Sequence, residues 1–246
     1  MLKPLFPHPA LLLVKDKKYL IISDLHIGFE EKYEGAGIRV RSSTDAMMKV
    51  LSQLLEEHRP DHLIILGDVK DSIDRIGRAE WREVPSFLEN ITSKVKVSVV
   101  AGNHDGGILP LLPKDVRLLE GPVVLMGDDA LLHGHTGLPA RAASAKRIIM
   151  GHIHPKYGRK GSSLSGKPVW LRLKVKRSHI FDEEKEGDLE VYVLPAFNKE
   201  LAWYTSMRRK IVSPILRRAK DGIVDGWVIT LEGDIVGGLE SLQYVL

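Results

Sequence analysis

Short apolar runs followed by polar or glycine residues recur through the first hundred positions of the chain. Four runs predict strands, and two stretches with apolar residues at helical spacing predict helices. The predicted elements are strand 11–14, strand 19–23, helix 44–57, strand 62–66, helix 78–91 and strand 95–101. On the second helix, Trp81, Val84 and Phe87 are expected to share one buried side. This alternation is typical of a parallel sheet covered by helices, with the functional site at the carboxyl ends of its strands.

After residue 105 the apolar runs are separated by Gly, Pro and Asp instead of long helices. Runs 116–119, 123–126, 130–133 and 147–150 therefore predict a second sheet. The remaining predicted elements are a strand pair with a loop over 155–187, strand 188–194, helix 213–220 and a hairpin of 227–231 with 235–239. The predicted fold class is α/β (α+β), a four-layer β-sandwich of two mixed sheets flanked by helices. We expect one domain over residues 1–246, with its core in about 10–200 and residues 213–246 completing it.

Composition narrows the chemistry. The 246-residue chain contains no cysteine, so any metal must be held by nitrogen and oxygen ligands. Its formal charge of +4 and pI near 9.1 permit a polyanionic partner without requiring one. The apolar run 10–14 is far shorter than the roughly 20 residues of a membrane-spanning helix, and residues 1–14 lack a signal-peptide pattern. We therefore expect a cytoplasmic protein with no membrane partner. Many charges with few Asn and Gln resemble thermophile composition.

Polar clusters follow five of the predicted strands. The clusters are Asp24-x-His26, Gly67-Asp68-x-x-Asp71, Gly102-Asn103-His104-Asp105, His133-Gly134-His135 and Gly151-His152-x-His154. On an extended chain alternate side chains share a face, so each Asp-x-His or His-x-His pair can grip one ion. Imidazole and carboxylate ligands suit Mn, Fe(II), Zn or Ni, and one carboxylate can bridge two ions. Each aspartate alone is also compatible with a turn or a helix cap, but five clusters converging on one sheet edge favour a metal site.

The loop 102–105 contains three different kinds of functional group. Asn103 offers a neutral amide oxygen to a cation. His104 is a candidate general acid, and Asp105 is expected to orient it or raise its proton affinity. By itself this tetrapeptide is also compatible with a polar turn.

As a set, these motifs resemble those of the calcineurin-like metallophosphoesterase superfamily, whose fold is a β-sandwich flanked by helices. By that resemblance, Asp24, His26 and His154 would hold one metal, Asn103, His133 and His152 the second, and Asp68 would bridge the two. His104 would protonate the leaving oxygen with support from Asp105, and Asp71 would have a supporting role beside the ligands. His133 is the predicted ligand of its cluster because it directly follows an apolar run, while His135 would contact substrate or a ligand. The resemblance implies two divalent ions, with Mn favoured and Fe, Zn or Ni as alternatives.

Within the superfamily, the chain resembles archaeal predicted phosphoesterases related to the nuclease subunit of double-strand-break repair complexes. The stretches that carry this likeness are 24–30, 37–41 and 194–198. Arg39 and Arg41, in the second stretch, are candidate substrate contacts.

Three functions are compatible with these motifs. The first is a two-metal phosphodiesterase acting on nucleic acid, favoured by Arg39, Arg41, the basic runs 167–177 and 207–210, and nearby aromatic residues that include Trp170. The second is a phosphatase or phosphodiesterase for a small nucleotide-like substrate, because two-metal chemistry does not read the leaving group. The third is a non-catalytic scaffold on the same fold, which the complete set of motifs disfavours. The oligomeric state is not predicted.

Overall fold

The computed structural model describes residues 1–34, 37, 40–119, 121, 123–181, 186–204 and 213–246. Within these residues the strands are β1 Leu2–Pro4, β2 Leu11–Val14, β3 Lys18–Ile22, β4 His62–Leu66, β5 Lys96–Val100, β6 Val116–Leu119, β7 Val123–Met126, β8 Asp129–Leu132, β9 Arg147–Met150, β10 Val169–Lys176, β11 Asp188–Val193, β12 Ile223–Thr230 and β13 Ile235–Gly237. The α-helices are α1 Glu31–Glu34, α2 Thr44–His58, α3 Arg78–Thr92, α4 Leu201–Tyr204, α5 Pro214–Ala219 and α6 Leu239–Leu242, with short 3-10 turns between some elements.

Two mixed sheets form the centre of the fold. The strand order is β1-β2-β3-β4-β5-β6 in the first sheet and β13-β12-β10-β11-β9-β8-β7 in the second, counting the described residues. Strands β3 to β6 run parallel, and β1 to β3 are antiparallel. In the second sheet β9 lies parallel to both of its neighbours, while the other pairs are antiparallel. The predicted sandwich of two mixed sheets with flanking helices is confirmed.

Apolar side chains fill three interfaces between the layers. Helices α2 and α3 pack their apolar sides on the first sheet, and α5, α6 and the 3-10 turn Ala140–Ser144 pack on the second. Between the sheets lie Leu11, Leu13, Ile21, Ile64, Leu66, Val100, Leu131, Ile149, Trp170, Leu194 and Leu231. Burial of apolar area at about 25 cal/mol per Å² makes this layered packing the main favourable contribution to folding. No helix in the described parts of the chain has the length and apolar character needed to cross a membrane.

Three element predictions are wrong. Strand β6 belongs to the first sheet, where it pairs in parallel with β5 through a crossover over residues 101–115 that holds a 3-10 turn in place of a long helix. The described residues of 155–187, which omit 182–185, contribute one long strand, β10, whose partners are β11 and β12, and a single bridge between Lys156 and Pro168. Trp81 is 53% exposed because the buried side of α3 is formed by residues 80, 84, 87, 88 and 91.

One buried ionic cluster joins the two sheets. Asp129, in β8 of the second sheet, is completely buried and pairs with Lys15 of the first sheet's β2–β3 turn at 2.7 Å. It also accepts hydrogen bonds from Arg147 of β9 at 2.5 and 3.0 Å. Burial alone would raise the pKa of Asp129, but its hydrogen bonds with Arg147 and Lys15 lower it overall.

We expect Asp129→Asn to lower the free energy of unfolding by about 3 kcal/mol, because it leaves two cations beside a neutral buried amide. The lowered pKa means that the effect is full above about pH 4 and shrinks as the pH falls further through the folded-state value. Urea unfolding at pH 7 measures the loss of stability, and the same experiment at pH 3 measures how far that loss shrinks. Asp128→Asn is the matched control, since the neighbouring Asp128–Lys146 pair is exposed and its loss should cost less than about 1 kcal/mol. Equal losses of unfolding free energy in Asp129→Asn and Asp128→Asn would contradict the stabilising role of the buried ionic cluster.

Candidate metal centre

The five polar clusters meet, but the prediction that they converge on one sheet edge is wrong, because they follow strands of both sheets. Strands β3, β4 and β5 lead into clusters 24–26, 67–71 and 102–105, and strands β8 and β9 lead into 133–135 and 151–154. Backbone hydrogen bonds join the loops. The N–H groups of Leu25 and His26 each donate to the Asp68 carbonyl at 2.9 Å, and the Gly151 N–H donates to the His133 carbonyl at 2.9 Å.

Left-handed backbone conformation is concentrated in these clusters. Six non-glycine residues of the described chain have positive φ, and five of them are cluster residues. Those five are Asp24 at 60°, His26 at 44°, Asp68 at 52°, His152 at 72° and His154 at 42°. Such a conformation costs a non-glycine residue roughly 1–3 kcal/mol and collects at functional sites. The prediction that the ligand pairs lie on an extended chain is therefore wrong; tight turns bring their side chains together.

The first group of candidate ligands contains Asp24, His26, Asp68 and His154. One donor atom from each lies within 4.8 Å of all the others. His154 Nε2 lies 3.0 Å from Asp24 Oδ1, and His26 Nε2 lies 3.3 Å from both Asp68 Oδ2 and His154 Nε2. Asp24, His26 and Asp68 are buried, and His154 is half-buried. Two carboxylates and two imidazoles around one point are a donor set that suits a divalent transition metal.

The second group contains Asp68, His133 and His152, again with donor atoms within 4.8 Å of one another. His133 Nε2 lies 3.2 Å from Asp68 Oδ2 and 3.1 Å from His152 Nδ1. Asn103 Oδ1 is 3.2 Å from the same His133 nitrogen, which brings the amide oxygen into this group. Asp68 therefore belongs to both groups.

Hydrogen bonds fix the orientation of two of the imidazoles. His26 Nδ1 donates to Asp71 Oδ1 at 3.1 Å, and Asp71 also pairs with the exposed Lys32 at 2.5 Å. His133 Nδ1 donates to the Leu66 carbonyl at 2.8 Å. In both rings the Nε2 atom is left to face Asp68, as a metal-binding histidine requires. Asp71 thus has the contact expected of a group that supports a ligand.

The electrostatics of the cluster favour a positive charge at its centre. Burial opposes protonation of His26, but its hydrogen bonds to Asp68 and Asp71 raise its pKa to about 10. Burial also opposes protonation of His133, yet Asp68 and Asp24 raise its pKa to about 9. Burial would raise the pKa of Asp68, but hydrogen bonds from the two histidines hold it well below its usual range.

His152 behaves in the opposite way, since burial and the neighbouring His133 lower its pKa to about 4. Its ring and the Nε2 atom of His133 lie nitrogen to nitrogen, a contact that is unfavourable unless a proton or a cation lies between them. Metal binding displaces ligand protons, and the buried carboxylates would neutralise the ion. The residues therefore fit divalent metal ions.

His104 lies beside these groups. Its ring centroid is 4.6 Å from that of His26, and its Nδ1 donates to the Asp71 carbonyl. Its backbone N–H donates to Asp68 Oδ1 at 2.9 Å.

Asp105 does not have the predicted contact with the His104 ring. Its carboxylate accepts hydrogen bonds from the backbone N–H groups of Gly102 at 2.8 Å and Val69 at 2.9 Å. Burial raises its pKa. The prediction that Asp105 orients the ring of His104 is wrong: Asp105 braces the loops after β4 and β5, and the Asp71 carbonyl holds the ring.

Among the remaining predicted residues, His135 lies beside the candidate ligands and Arg41 makes no contact with them among the described residues. His135 lies 5.3 Å from His133 between ring centroids, and its Nδ1 is buried with no hydrogen-bond partner among the described residues. Burial and His133 lower the pKa of His135. Arg41 is exposed, and no contact joins it to the cluster in the described chain. Arg39 and the basic run 207–210 lie outside the described residues.

Several residues at the site were missed by sequence reasoning. Lys70 and Glu80 are completely buried next to the loops, although their residue types are normally exposed. Asn198 Nδ2 donates to the Leu25 carbonyl at 2.9 Å, which braces the first cluster from 173 positions away. The signals in the sequence are the place of Lys70 between Asp68 and Asp71 in the loop after a buried strand, and the place of Asn198 in the stretch 194–198 that carries the family likeness.

The basic run 167–177 is mostly engaged within the chain. Arg172 pairs with Glu190 and lies over the rings of Tyr192 and Trp227. Arg177 donates hydrogen bonds to the backbone carbonyl of Ala143, in the 3-10 turn Ala140–Ser144, and to that of Ala145, which follows the turn. Trp170 is buried between the sheets, so the prediction that it could stack on bases is wrong.

The chain is similar to several proteins of known structure. The nuclease MPE of Pseudomonas putida has a solved structure that matches with a TM-score of 0.51 at 23% sequence identity, over 80% of this chain and 87% of that chain. YfcE, a phosphoesterase from E. coli, matches with a TM-score of 0.43 at 19% identity, over 91% of this chain and 98% of that chain. At 23% identity, the likeness to the nuclease MPE concerns the fold alone. The comparison with curated proteins gave no match.

The family profile is more decisive. The profile of the calcineurin-like phosphoesterases matches residues 17–180, a range that contains all five polar clusters. Members of this family are hydrolases that act on phosphoesters and use divalent metals. The chain therefore belongs to the calcineurin-like phosphoesterase family.

Proposed function

We propose that this protein is a two-metal phosphodiesterase. The observation that carries the proposal is the pair of donor groups that share the buried carboxylate of Asp68. One metal would be held by Asp24, His26 and His154, the second by Asn103, His133 and His152, and Asp68 would bridge them. Two ions held in this way would supply charge stabilisation and an activated water for attack on phosphorus. Mn is the favoured ion, with Fe, Zn or Ni as alternatives, since the donors are nitrogen and oxygen.

His104 is proposed to donate a proton to the leaving oxygen. Its Nδ1 hydrogen is engaged by the Asp71 carbonyl, so the transferable proton would be on Nε2. His135 is proposed to contact the substrate, because its Nδ1 and the Oγ1 of Thr136 are buried without a hydrogen-bond partner among the described residues. A phosphoryl oxygen or a bound water would satisfy both atoms.

Nucleic acid is the favoured substrate class, and a small nucleotide-like ester is the alternative. Lys160 and Lys167 are exposed in the loop between His154 and β10, and they are proposed to contact phosphates beyond the one that reacts. The nuclease name of the P. putida structure agrees with this class, but the likeness to it extends only to the fold. The complete set of donors argues against a scaffold without activity.

Other expectations stay predictions. They are a cytoplasmic location, a single domain over residues 1–246, a thermophile-like character, substrate contacts of Arg39 and Arg41, and kinship with the archaeal relatives of repair nucleases.

The first test is hydrolysis with Mn²⁺ of a panel of DNA, RNA, cyclic nucleotides and aryl phosphodiesters. We expect diester hydrolysis that depends on added metal, and a steep loss of DNA or RNA cleavage with rising salt if the backbone is the substrate. Asp68→Asn should abolish turnover, because a neutral amide cannot bridge two cations. Turnover by Asp68→Asn equal to that of the wild type would contradict the shared-carboxylate site. Hydrolysis of cyclic nucleotides alone would favour the small-substrate alternative.

Gly102 provides a second test, because its α-carbon packs against Asp68. A Cβ at position 102 would overlap the carboxylate and backbone of Asp68. We expect Gly102→Ala to displace the carboxylate and weaken binding of Mn²⁺ at least about 10-fold, as measured by calorimetry. Gly106→Ala in the same loop is the matched control, since its Cβ would lie 3.7 Å from the nearest atom. Unchanged Mn²⁺ affinity in a folded Gly102→Ala protein would argue against Asp68 as a ligand.

The third test concerns His104. We expect His104→Ala to keep both metals but to lose about 10²–10⁴-fold in kcat on esters with poor leaving groups, because the leaving oxygen then departs without a proton. Nitrophenyl esters should be affected much less, since nitrophenolate needs no protonation. Metal analysis and kcat on both ester types provide the measurement. Full turnover of the poor-leaving-group ester would remove His104 from the role of acid.

A further inference from the structure

Lys70 is a completely buried lysine at the centre of the loop that carries Asp68 and Asp71. Its ammonium group donates hydrogen bonds to the backbone carbonyls of Ser72 and His104. Removal of an ammonium from water is costly unless its hydrogen bonds are replaced, so a packing role alone would be better served by an apolar side chain. The place of this charge therefore indicates a task that an apolar side chain cannot perform.

The two carbonyls that Lys70 binds belong to the two segments that set the position of the His104 ring. One is the carbonyl of His104 itself. The other, of Ser72, is adjacent to Asp71, whose own carbonyl accepts the hydrogen bond from His104 Nδ1. Lys70 thus fixes the spacing between the ring's backbone and the group that holds the ring.

Glu80 holds the same segment from the opposite side. Its Oε1 accepts hydrogen bonds from the backbone N–H groups of Asp71 at 2.9 Å and Ser72 at 2.6 Å. The segment 71–72 is therefore fixed by a buried carboxylate at its N–H groups and by a buried ammonium at a carbonyl. Lys70 connects this segment to His104 through its hydrogen bond to the His104 carbonyl.

From this geometry we propose that Lys70 is a positioning residue, which holds the His104 ring in line with the leaving oxygen. The inference rests on the proposed role of His104 as the acid. It differs from a purely structural role in its consequence: loss of a positioning contact should slow the reactions that need the proton and spare those that do not. A general loss of structure would slow all of them alike.

The kinetic test uses Lys70→Met, which keeps the length and volume of the side chain but removes the donor. On a series of aryl phosphodiesters with Mn²⁺, we expect kcat to fall about 10²-fold for the phenyl leaving group and less than about 3-fold for nitrophenyl, with KM unchanged. The double variant Lys70→Met/His104→Ala should be no slower than His104→Ala, since both changes remove the same proton transfer. Lys94→Met, at an exposed lysine, is the control and should match the wild type.

A second readout does not depend on activity. ¹⁵N NMR of histidine-labelled protein loaded with Zn²⁺ reports whether His104 Nδ1 keeps a hydrogen-bonded proton. We expect that signal in the wild type and its loss in Lys70→Met, with Zn²⁺ affinity within about 3-fold by calorimetry. If Lys70→Met does not fold, Lys70→Gln, which retains one amide donor, is compared in its place and should give an intermediate effect.

The proposal is overturned by an equal loss of kcat across the ester series, by additive effects in the double variant, or by an unchanged Nδ1 signal in Lys70→Met. A wild-type protein that binds Zn²⁺ but hydrolyses no ester would instead overturn the proposed function. In that case the Nδ1 signal still decides whether Lys70 positions the ring.

Discussion

The carboxylate of Asp68 is the point on which the ends of both sheets converge. The side chain of Asp68 belongs to both donor groups, and its Oδ1 accepts a hydrogen bond from the N–H of His104. The backbone carbonyl of Asp68 accepts hydrogen bonds from the N–H groups of Leu25 and His26. Because one residue makes all of these contacts, the loops after β3, β4 and β5 cannot move apart without breaking the site. This arrangement requires a left-handed φ at Asp68 and the absence of a side chain at Gly102. The carboxylate and backbone of Asp68 thus leave no room for a Cβ at position 102.

Buried charges outside the donor groups stabilise the loops around Asp68. The irregular loops leave backbone N–H and carbonyl groups away from water, and each needs a partner. Asp105 and Glu80 accept hydrogen bonds from N–H groups of these loops, and Lys70 donates to carbonyls. Burial of these ions costs free energy, which the apolar layer between the sheets must offset. The precision of the site thus depends on packing far from it.

Most strands, and the meeting of clusters within one sheet, were predictable because each rests on local pattern. Apolar runs mark the strands, and polar residues at the ends of parallel strands in one sheet must meet at one edge. The meeting of the clusters of the two sheets depends on how the sheets pack, which no local pattern encodes. The sheet that contains β6 was not predictable, since a parallel crossover without a helix resembles a change of sheet. Nor does the sequence reveal the sign of φ at Asp24 or His152. The roles of Asp105 and Lys70 depend on contacts 34 to 36 positions away in the chain, and no local pattern encodes such contacts.

A charged side chain at the surface can influence substrate choice only where it is not already paired within the protein. The proposed two-metal chemistry would treat one phosphodiester much like another, so selection would have to come from contacts beyond the reacting phosphate. Much of the basic run on β10 is already paired, as Arg172 is with Glu190 and Lys174 is with Asp188. The net charge of +4 therefore says little by itself. Lys160 and Lys167 are exposed and lie in the loop between His154 and β10. If they contact substrate, as proposed, a polymer would gain from them where a mononucleotide would not. The proposal of nucleic acid as the substrate therefore rests on the location of exposed charge more than on its amount.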